Sequence, residues 1–428
     1  MPRTEMIHVF HHFHPVGHGT FFSSIVESDS GEKFCWVYDC GSKWPSSLKP
    51  SIKALELWAN WDNDEIDLLT LSHFDDDHIN GLERLLAGRR VKRLAIPYLN
   101  FRDRLELASG KFSNVAASAT VAAFALDPIG FLISRGLSDR IDILLTIQNN
   151  GDFGINDGFD PLPPIDQRPA ERSINSPEWQ KKVHLFSRSS RRKHFSVHEL
   201  EHHKAIGSRN LNFEILFYNS ALKDDVAPIS GKALENIAKD AIKILDEYKV
   251  IGNICPPISG WQKQLKALYD LHFGKSGKRR NAISLCMMFR PIGTNFQECG
   301  YFNEFPQASG TNMSPLEVEG DNNALLLTGD LHLNGTSIDA MKSHFGNWRW
   351  SQIAISQIPH HGSQHSWETG NAKLFPNPTF VQCIPNRSEK HPHEIVKADL
   401  VNQHVVAANY SCSVVSNYHF DGYFHPED

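Results

Sequence analysis

The sequence predicts an α/β domain built in layers. Three observations lead there: a strand-rich opening broken by glycine turns, an alternation of helix and strand patterns after about residue 48, and apolar runs that end abruptly in polar clusters. Residues 6–13, 21–27 and 34–38 are rich in Phe, Val and Ile and read as strands. Val16-Gly17-His18-Gly19-Thr20 separates the first two, and Asp39-Cys40-Gly41-Ser42 ends the third. Helical apolar spacing follows over 48–61, then a buried strand over 66–71, a helix over 80–86 and a short strand over 91–97.

The pattern loosens between about 102 and 280. Helical segments at 103–126, 128–137, 231–249 and 261–273 surround a loop-rich stretch at 150–177 and a strand at 212–218. This region reads as a mainly helical insertion, or a substrate-facing elaboration of the core. Regular strands return at 283–289, 324–327, 353–358, 379–384 and 405–408.

At 428 residues, with 40% hydrophobic and 21% charged side chains, the chain can bury a sizeable core. The formal charge of −6 provides no global basic field, so any grip on nucleic acid must come from local patches. The basic runs at 188–194 and 275–280 are the candidates, with Trp179, Phe186 and Phe195 near the first as possible stacking partners; the plain alternative is a solvated face and core aromatics. Seven cysteines without a CxxC pair, several inside apolar runs, fit buried free thiols in a reducing cytoplasm. Neither a signal peptide nor an apolar run of about 18 residues is present, so a cytoplasmic protein with no membrane span is expected.

The chemistry concentrates in Ser72-His73-Phe74-Asp75-Asp76-Asp77-His78, directly after the strand at 66–71. Close carboxylates at the end of an apolar strand repel one another unless a cation neutralises them, and a divalent metal accepts this mixture of nitrogen and oxygen ligands. Further strand ends carry similar residues: Thr328-Gly329-Asp330, Pro359-His360-His361-Gly362-Ser363, and Lys390-His391-Pro392-His393. In a layered sheet such ends converge on one edge. The simpler readings are an acidic turn capping a helix for 73–78, a helix cap for Asp330, and a surface loop for His391 and His393. His11, His12, His14 and His18 are either another metal tract or ordinary strand and loop residues, with His18 the best placed to line the site.

The order of these elements resembles the metallo-β-lactamase superfamily, and within it the hydrolase domain of ComEC-type DNA-uptake proteins. His73-x-Asp75-x-Asp77-His78 is similar to the HxHxDH motif, with Asp75 where that branch often carries aspartate. Val16 to Gly19, Tyr38 to Gly41, Asn281 to Leu285 and the Thr-Gly-Asp and His-His-Gly-Ser segments match in order. The resemblance implies an αββα sandwich whose halves are residues 1–101 and 281–428, flanking the elaboration at 102–280. It implies two divalent ions, Mn²⁺ or Zn²⁺: His73 and Asp75 on one, Asp77 and His78 on the other, Asp330 bridging, and His360 as first choice over His361 to complete the second. Asp77, His361 and His393 are the catalytic candidates, and Asp76 is a supporting or solvated residue. The third histidine that many superfamily members supply to the first ion has no clear counterpart.

A metal lowers the pKa of bound water from about 15.7 to about 7, so the resemblance implies a metal-dependent phosphodiesterase or nuclease acting on DNA or another nucleic acid. Two other readings share the residues: a metallohydrolase of a cyclic nucleotide, lactone or thioester, and a non-catalytic regulatory subunit of a bacterial defence system. The resemblance also implies an operon-encoded protein partner such as an ATPase, which stands beside some stand-alone relatives.

Overall fold

The computed structural model describes residues 4–57, 65–110, 117–148, 195–200, 204–208, 210–219, 231–253, 255–274, 284–298, 312–315, 322–386, 388 and 390–423. The first strands are β1 (Thr4–Phe13), β2 (Phe21–Ser28), β3 (Lys33–Cys40), β4 (Glu65–Ile66), β5 (Leu68–Thr70), β6 (Arg90–Pro97), β7 (Ile141–Ile147) and β8 (Ser196–Leu200). They are followed by β9 (Ile206–Ser208), β10 (Phe213–Asn219), β11 (Leu285–Pro291), β12 (Gly293–Glu298), β13 (Asn312–Pro315), β14 (Ala324–Leu327), β15 (Ile353–Gln357), β16 (Thr379–Cys383), β17 (Val405–Ala408) and β18 (Cys412–Tyr423). One sheet runs β12-β18-β1-β2-β3-β5-β6-β7-β8, with β13 paired to β18 and β4 to β6; the other runs β17-β16-β15-β14-β11-β10-β9.

The two sheets pack face to face. Val9, Trp36, Tyr38 and Phe420 from the first meet Phe213, Phe289, Leu325, Leu327 and Val381 from the second. Side chains alternate along a strand, so Leu326 and Met288 point the other way, into an outer core. That outer core is covered by α9 (Gly335–Phe345), α10 (Asn347–Ser351) and α11 (Glu394–Asp399), which follow eight helices among the described residues. Those eight are α1 (Pro45–Leu57), α2 (Asp76–Ile79), α3 (Leu82–Ala87), α4 (Phe101–Ser109), α5 (Ala119–Leu126), α6 (Pro128–Ser134), α7 (Gly231–Glu247) and α8 (Trp261–Phe273). Leu55, Leu85, Leu105, Phe124, Leu245 and Leu265 on them pack against Leu69 and Leu94 on the outer face of the first sheet. The order of layers is therefore αββα, as expected. Both faces of the central strands are buried, which is why they read as continuous apolar runs.

Several boundaries moved. The strand expected at 66–71 breaks at Asp67, whose carboxylate accepts the Cys35 amide at 2.8 Å and binds Lys92 at 2.7 Å. The helix expected over 103–126 stops at the left-handed Gly110 and resumes at α5, where the Ser118 side chain caps the Val121 amide. The stretch 102–280 also supplies β7 and β8 to the first sheet and β9 and β10 to the second. The loop expected at 150–177 lies outside the described residues. No helix among the described residues is long and apolar enough to cross a membrane. Cys35, Cys40, Cys286 and Cys383 are buried free thiols, Cys255 is exposed and free, and Cys299 lies outside the described residues.

An ion cluster ties the second sheet to its helices. Glu214 on β10 is buried and receives Arg290 at 2.5 Å and Arg349 at 2.7 Å, while the Arg290 guanidinium lies 4.5 Å from the centre of the Trp348 ring. Burial alone would raise the Glu214 carboxyl; the two guanidiniums outweigh it and hold it below the usual carboxylate range. Glu214→Ala leaves two guanidiniums uncompensated, and is expected to cost about 3 kcal/mol of stability at pH 7 in denaturant titration. Because the folded-state pKa lies below the unfolded one, this stabilisation is complete above about pH 5 and fades as pH falls through the folded value. The gap between wild type and Glu214→Gln should therefore narrow in acid; a gap that is constant with pH would contradict this account.

Candidate metal centre

Loops from both sheets build the site at one edge. β5 delivers Ser72 and His73 and passes into α2, whose close approach to β3 depends on glycine. A Cβ on Gly41 would lie 2.3 Å from the backbone of Asp77 and His78. From the second sheet, β14 delivers Asp330, β15 delivers His360 and His361, and β16 leads to His391 and His393. Gln357 clasps the two sets of loops: its side-chain oxygen accepts the amides of Thr328 and Gly329, each at 3.1 Å, and its amide donates to Thr20 at 3.2 Å.

Two groups of ligand-type atoms result. The first joins His73, His78 and Asp330, with His78 Nε2 at 3.3 Å from Asp330 Oδ1 and His73 Nε2 at 3.5 Å from Oδ2. His360 Nε2 reaches the same Oδ2 at 3.7 Å, and Asp75 Oδ2 stands 4.0 Å from His73 Nε2. The second group joins His18, Asp77 and His361: Asp77 Oδ2 lies 3.6 Å from His361 Nε2 and 3.8 Å from His18 Nε2. The sequence reading put Asp77 with His78. Adjacent residues on a helix point about 100° apart, and on α2 these two turn into different groups.

The far side of each ring is fixed. His78 Nδ1 meets Asp39 at 2.7 Å and His361 Nδ1 meets the Cys383 carbonyl at 2.7 Å; both partners can only accept, so both Nδ1 atoms donate. That leaves Nε2 of each ring as the position for a lone pair, a proton or a cation, pointing at a carboxylate. Nε2 of His73, His78 and His361 and Oδ1 of Asp330 are buried with no hydrogen-bond partner among the described residues. His73 Nδ1 pairs with Ser72 Oγ at 2.8 Å and His360 Nδ1 with Ser366 Oγ at 3.0 Å. Asp39 is itself held by the Ser72 amide at 2.7 Å and hydroxyl at 2.6 Å. Asp39, His360 and His361 have left-handed backbones, with φ of 56°, 47° and 57°, an unfavourable conformation characteristic of functional turns.

The electrostatics state the same demand for positive charge. Burial would lower the His78 pKa, but Asp330 and Asp39 outweigh it and hold the ring well above its usual value. Burial would raise the Asp330 carboxyl, but His360, His78 and His73 hold it well below the carboxylate range. Asp77 is likewise held low against its burial, by His361 and His78. Imidazole nitrogens and carboxylate oxygens in these proportions suit a divalent cation in each group.

The remaining candidates fall into distinct places. Asp76 accepts the Ser118 hydroxyl at 2.6 Å, tying α2 to the start of α5. His393 begins α11, and its Nδ1 accepts the Gln364 amide at 3.2 Å, so the neutral ring carries its proton on Nε2. The His391 ring lies 4.8 Å from that of His393 and 5.4 Å from that of His18; burial and the neighbouring histidines lower its pKa to about 4. His11 and His14 hydrogen-bond Ser24 and Ser23 inside the sheet, and burial pushes His11 and His12 down to about 3. Phe195 is core, whereas Trp179, Phe186, both basic runs and Asn281 to Ile283 lie outside the described residues. The sequence reading missed Lys43, whose ammonium hydrogen-bonds His18 Nε2 and stands 3.7 Å from Asp77 Oδ2. Its only signal was adjacency to the Asp39 to Ser42 turn.

Among curated proteins none matches the chain. Among solved structures, a long form RNase Z from yeast is similar at 9% identity with a TM-score of 0.35, over 89% of this chain and 38% of that one. The chain thus spans well under half of that structure's length. Residues 21–119 match the family model of the Metallo-beta-lactamase superfamily, a segment that holds Asp39, His73, Asp75, Asp77 and His78. The αββα layers of the described residues are consistent with the metallo-beta-lactamase sandwich whose family model this segment matches.

Proposed function

We propose that the chain is a metal-dependent hydrolase that cleaves phosphodiester bonds in nucleic acid, with DNA the first substrate to test. One observation carries the hydrolase reading: two groups, each of two imidazoles and a carboxylate, meet at one edge, and the Nε2 atoms of His73, His78 and His361 face carboxylate oxygens with no hydrogen-bond partner among the described residues. The choice of nucleic acid is supported by the motif likeness to ComEC-type hydrolase domains. Divalent cations held by His73, His78 and Asp330, and by His18, Asp77 and His361, would supply Lewis acidity that activates water near neutral pH and neutralises phosphoryl charge. Two imidazoles and a carboxylate suit Zn²⁺, while the further oxygen of Asp75 beside His73 suits Mn²⁺.

The side chains divide the remaining work. Asp39 and Cys383 lock the rings of His78 and His361 in one tautomer, so no reorientation is needed when a ligand arrives. Asp77, ionised at neutral pH, accepts the proton of the attacking water. At the rim, His393 offers an Nε2–H to a phosphate oxygen or to the departing oxygen. His360 and Asp75 complete the wall around His73 and Asp330.

Purified protein should nick or degrade single- or double-stranded DNA in the presence of Mn²⁺ or Zn²⁺ and lose this activity with a chelator. Asp330→Ala and Asp77→Ala should each lower the rate by at least about a hundredfold, since even indirect supports of metal ligands are worth 10- to 100-fold. A wild type that cuts no nucleic acid, or variants that cut as fast as wild type, would end the nuclease reading. Asp39→Asn removes the carboxylate behind His78 and should weaken Zn²⁺ binding about 10- to 100-fold in a chelator competition assay. Unchanged affinity would show that the His78 tautomer is not set from behind.

A further inference from the structure

We propose that Lys43 is a built-in occupant of the His18–Asp77–His361 group, a tethered ammonium that a second divalent cation must displace. The inference rests on the metal reading of the site and adds an ordering to it: one cation binds between His73, His78 and Asp330, and the other competes with the protein's own side chain.

The two groups differ in what already fills them. In the first, three imidazoles face Asp330, and no lysine or arginine ion pair reaches it among the described residues. In the second, the Lys43 ammonium hydrogen-bonds His18 Nε2 and stands 3.7 Å from Asp77 Oδ2, the oxygen that His18 and His361 also face. An ammonium offers donors and a single positive charge, which is what a lone pair on His18 and a carboxylate on Asp77 require. With the Lys43 ammonium donating to it, His18 Nε2 serves as the acceptor, the same lone pair that a cation would take.

The tether and the exit are both visible. The Lys43 amide donates to the His18 carbonyl at 2.7 Å, so the backbone clips the lysine beside the group it occupies. Its side chain is nevertheless 52% exposed, and the neighbouring Trp44 is 63% exposed, so the ammonium can swing into water without unpacking the core. His361, by contrast, is buried with Nε2 unsatisfied and cannot leave; it waits for a ligand that the lysine does not reach. A group with one unsatisfied imidazole and one satisfied by a mobile cation is a site held open rather than closed.

Titration of metal-depleted protein with Zn²⁺ alone, followed by calorimetry and by metal analysis after gel filtration, reads this directly and needs no substrate. Wild type should show two separated events. Lys43→Met and Lys43→Gln should tighten the second event about tenfold, as expected when an occupant resident about nine-tenths of the time is removed. Lys43→Arg should keep the two events apart, and His18→Ala should abolish the weaker while sparing the tighter. If both neutral variants leave the second affinity unchanged while the first event persists, the inference fails and the hydrolase reading is untouched. If wild type binds no Zn²⁺ at all, the metal reading falls and takes this inference with it.

Discussion

The arrangement turns on acceptors facing acceptors. Asp39 and the Cys383 carbonyl take the protons of His78 and His361 at Nδ1, so the opposite nitrogens present lone pairs toward Asp330 and Asp77. In a buried place this is tolerable only when positive charge stands between the facing atoms. In the first group Asp330 and Asp39 hold the His78 ring well above its usual pKa, and in the second the Lys43 ammonium stands 3.7 Å from Asp77 Oδ2. The protein has thus paired each carboxylate with something cationic that is replaceable.

Holding such a cluster requires rigid support, and the fold provides it at strand ends rather than in long loops. The Gln357 clasp joins the Thr20 turn of one sheet to the Thr328 turn of the other, and the Leu285 amide donates to the Ser72 carbonyl at 2.7 Å across the same edge. Three left-handed residues, Asp39, His360 and His361, bend the chain where an extended strand would carry the side chains past the centre. Gly41 lets α2 settle against β3, and a side chain there would push Asp77 and His78 out of register.

The layered fold and most of the centre were legible because the relevant residues sit next to strong local signals. Ser72 to His78 follows an apolar strand, and Thr328 to Asp330 and Pro359 to Ser363 do the same. The partition of these residues between the two groups was not legible. It depends on α2 being a single turn on which Asp77 and His78 diverge, and on His18 arriving from a turn far back in the chain. Lys43 was hidden for a related reason: a lone lysine in a turn looks like any solvated one. The strands β8, β9 and β18 were missed because their windows mix Ser, His, Gly and Asn with the apolar residues, and pairing to neighbours, not local pattern, makes them strands; β7, with Ile or Leu at five of seven positions, carries a local strand signal of its own. Asp39 was noted as part of a turn, yet its hold on His78 spans 39 positions and no spacing rule reaches that far.

The placement of the ligand-type residues on both sheets has a mechanical corollary. His73, Asp77 and His78 hang from one sheet and Asp330, His360 and His361 from the other, so an ion seated among them is a rivet through the sandwich. Pulling the layers apart would first have to break its coordination. An ion at a hundred times its dissociation constant adds about 2.7 kcal/mol to the folded state. Here that increment would resist delamination of the whole domain rather than the fraying of a single loop.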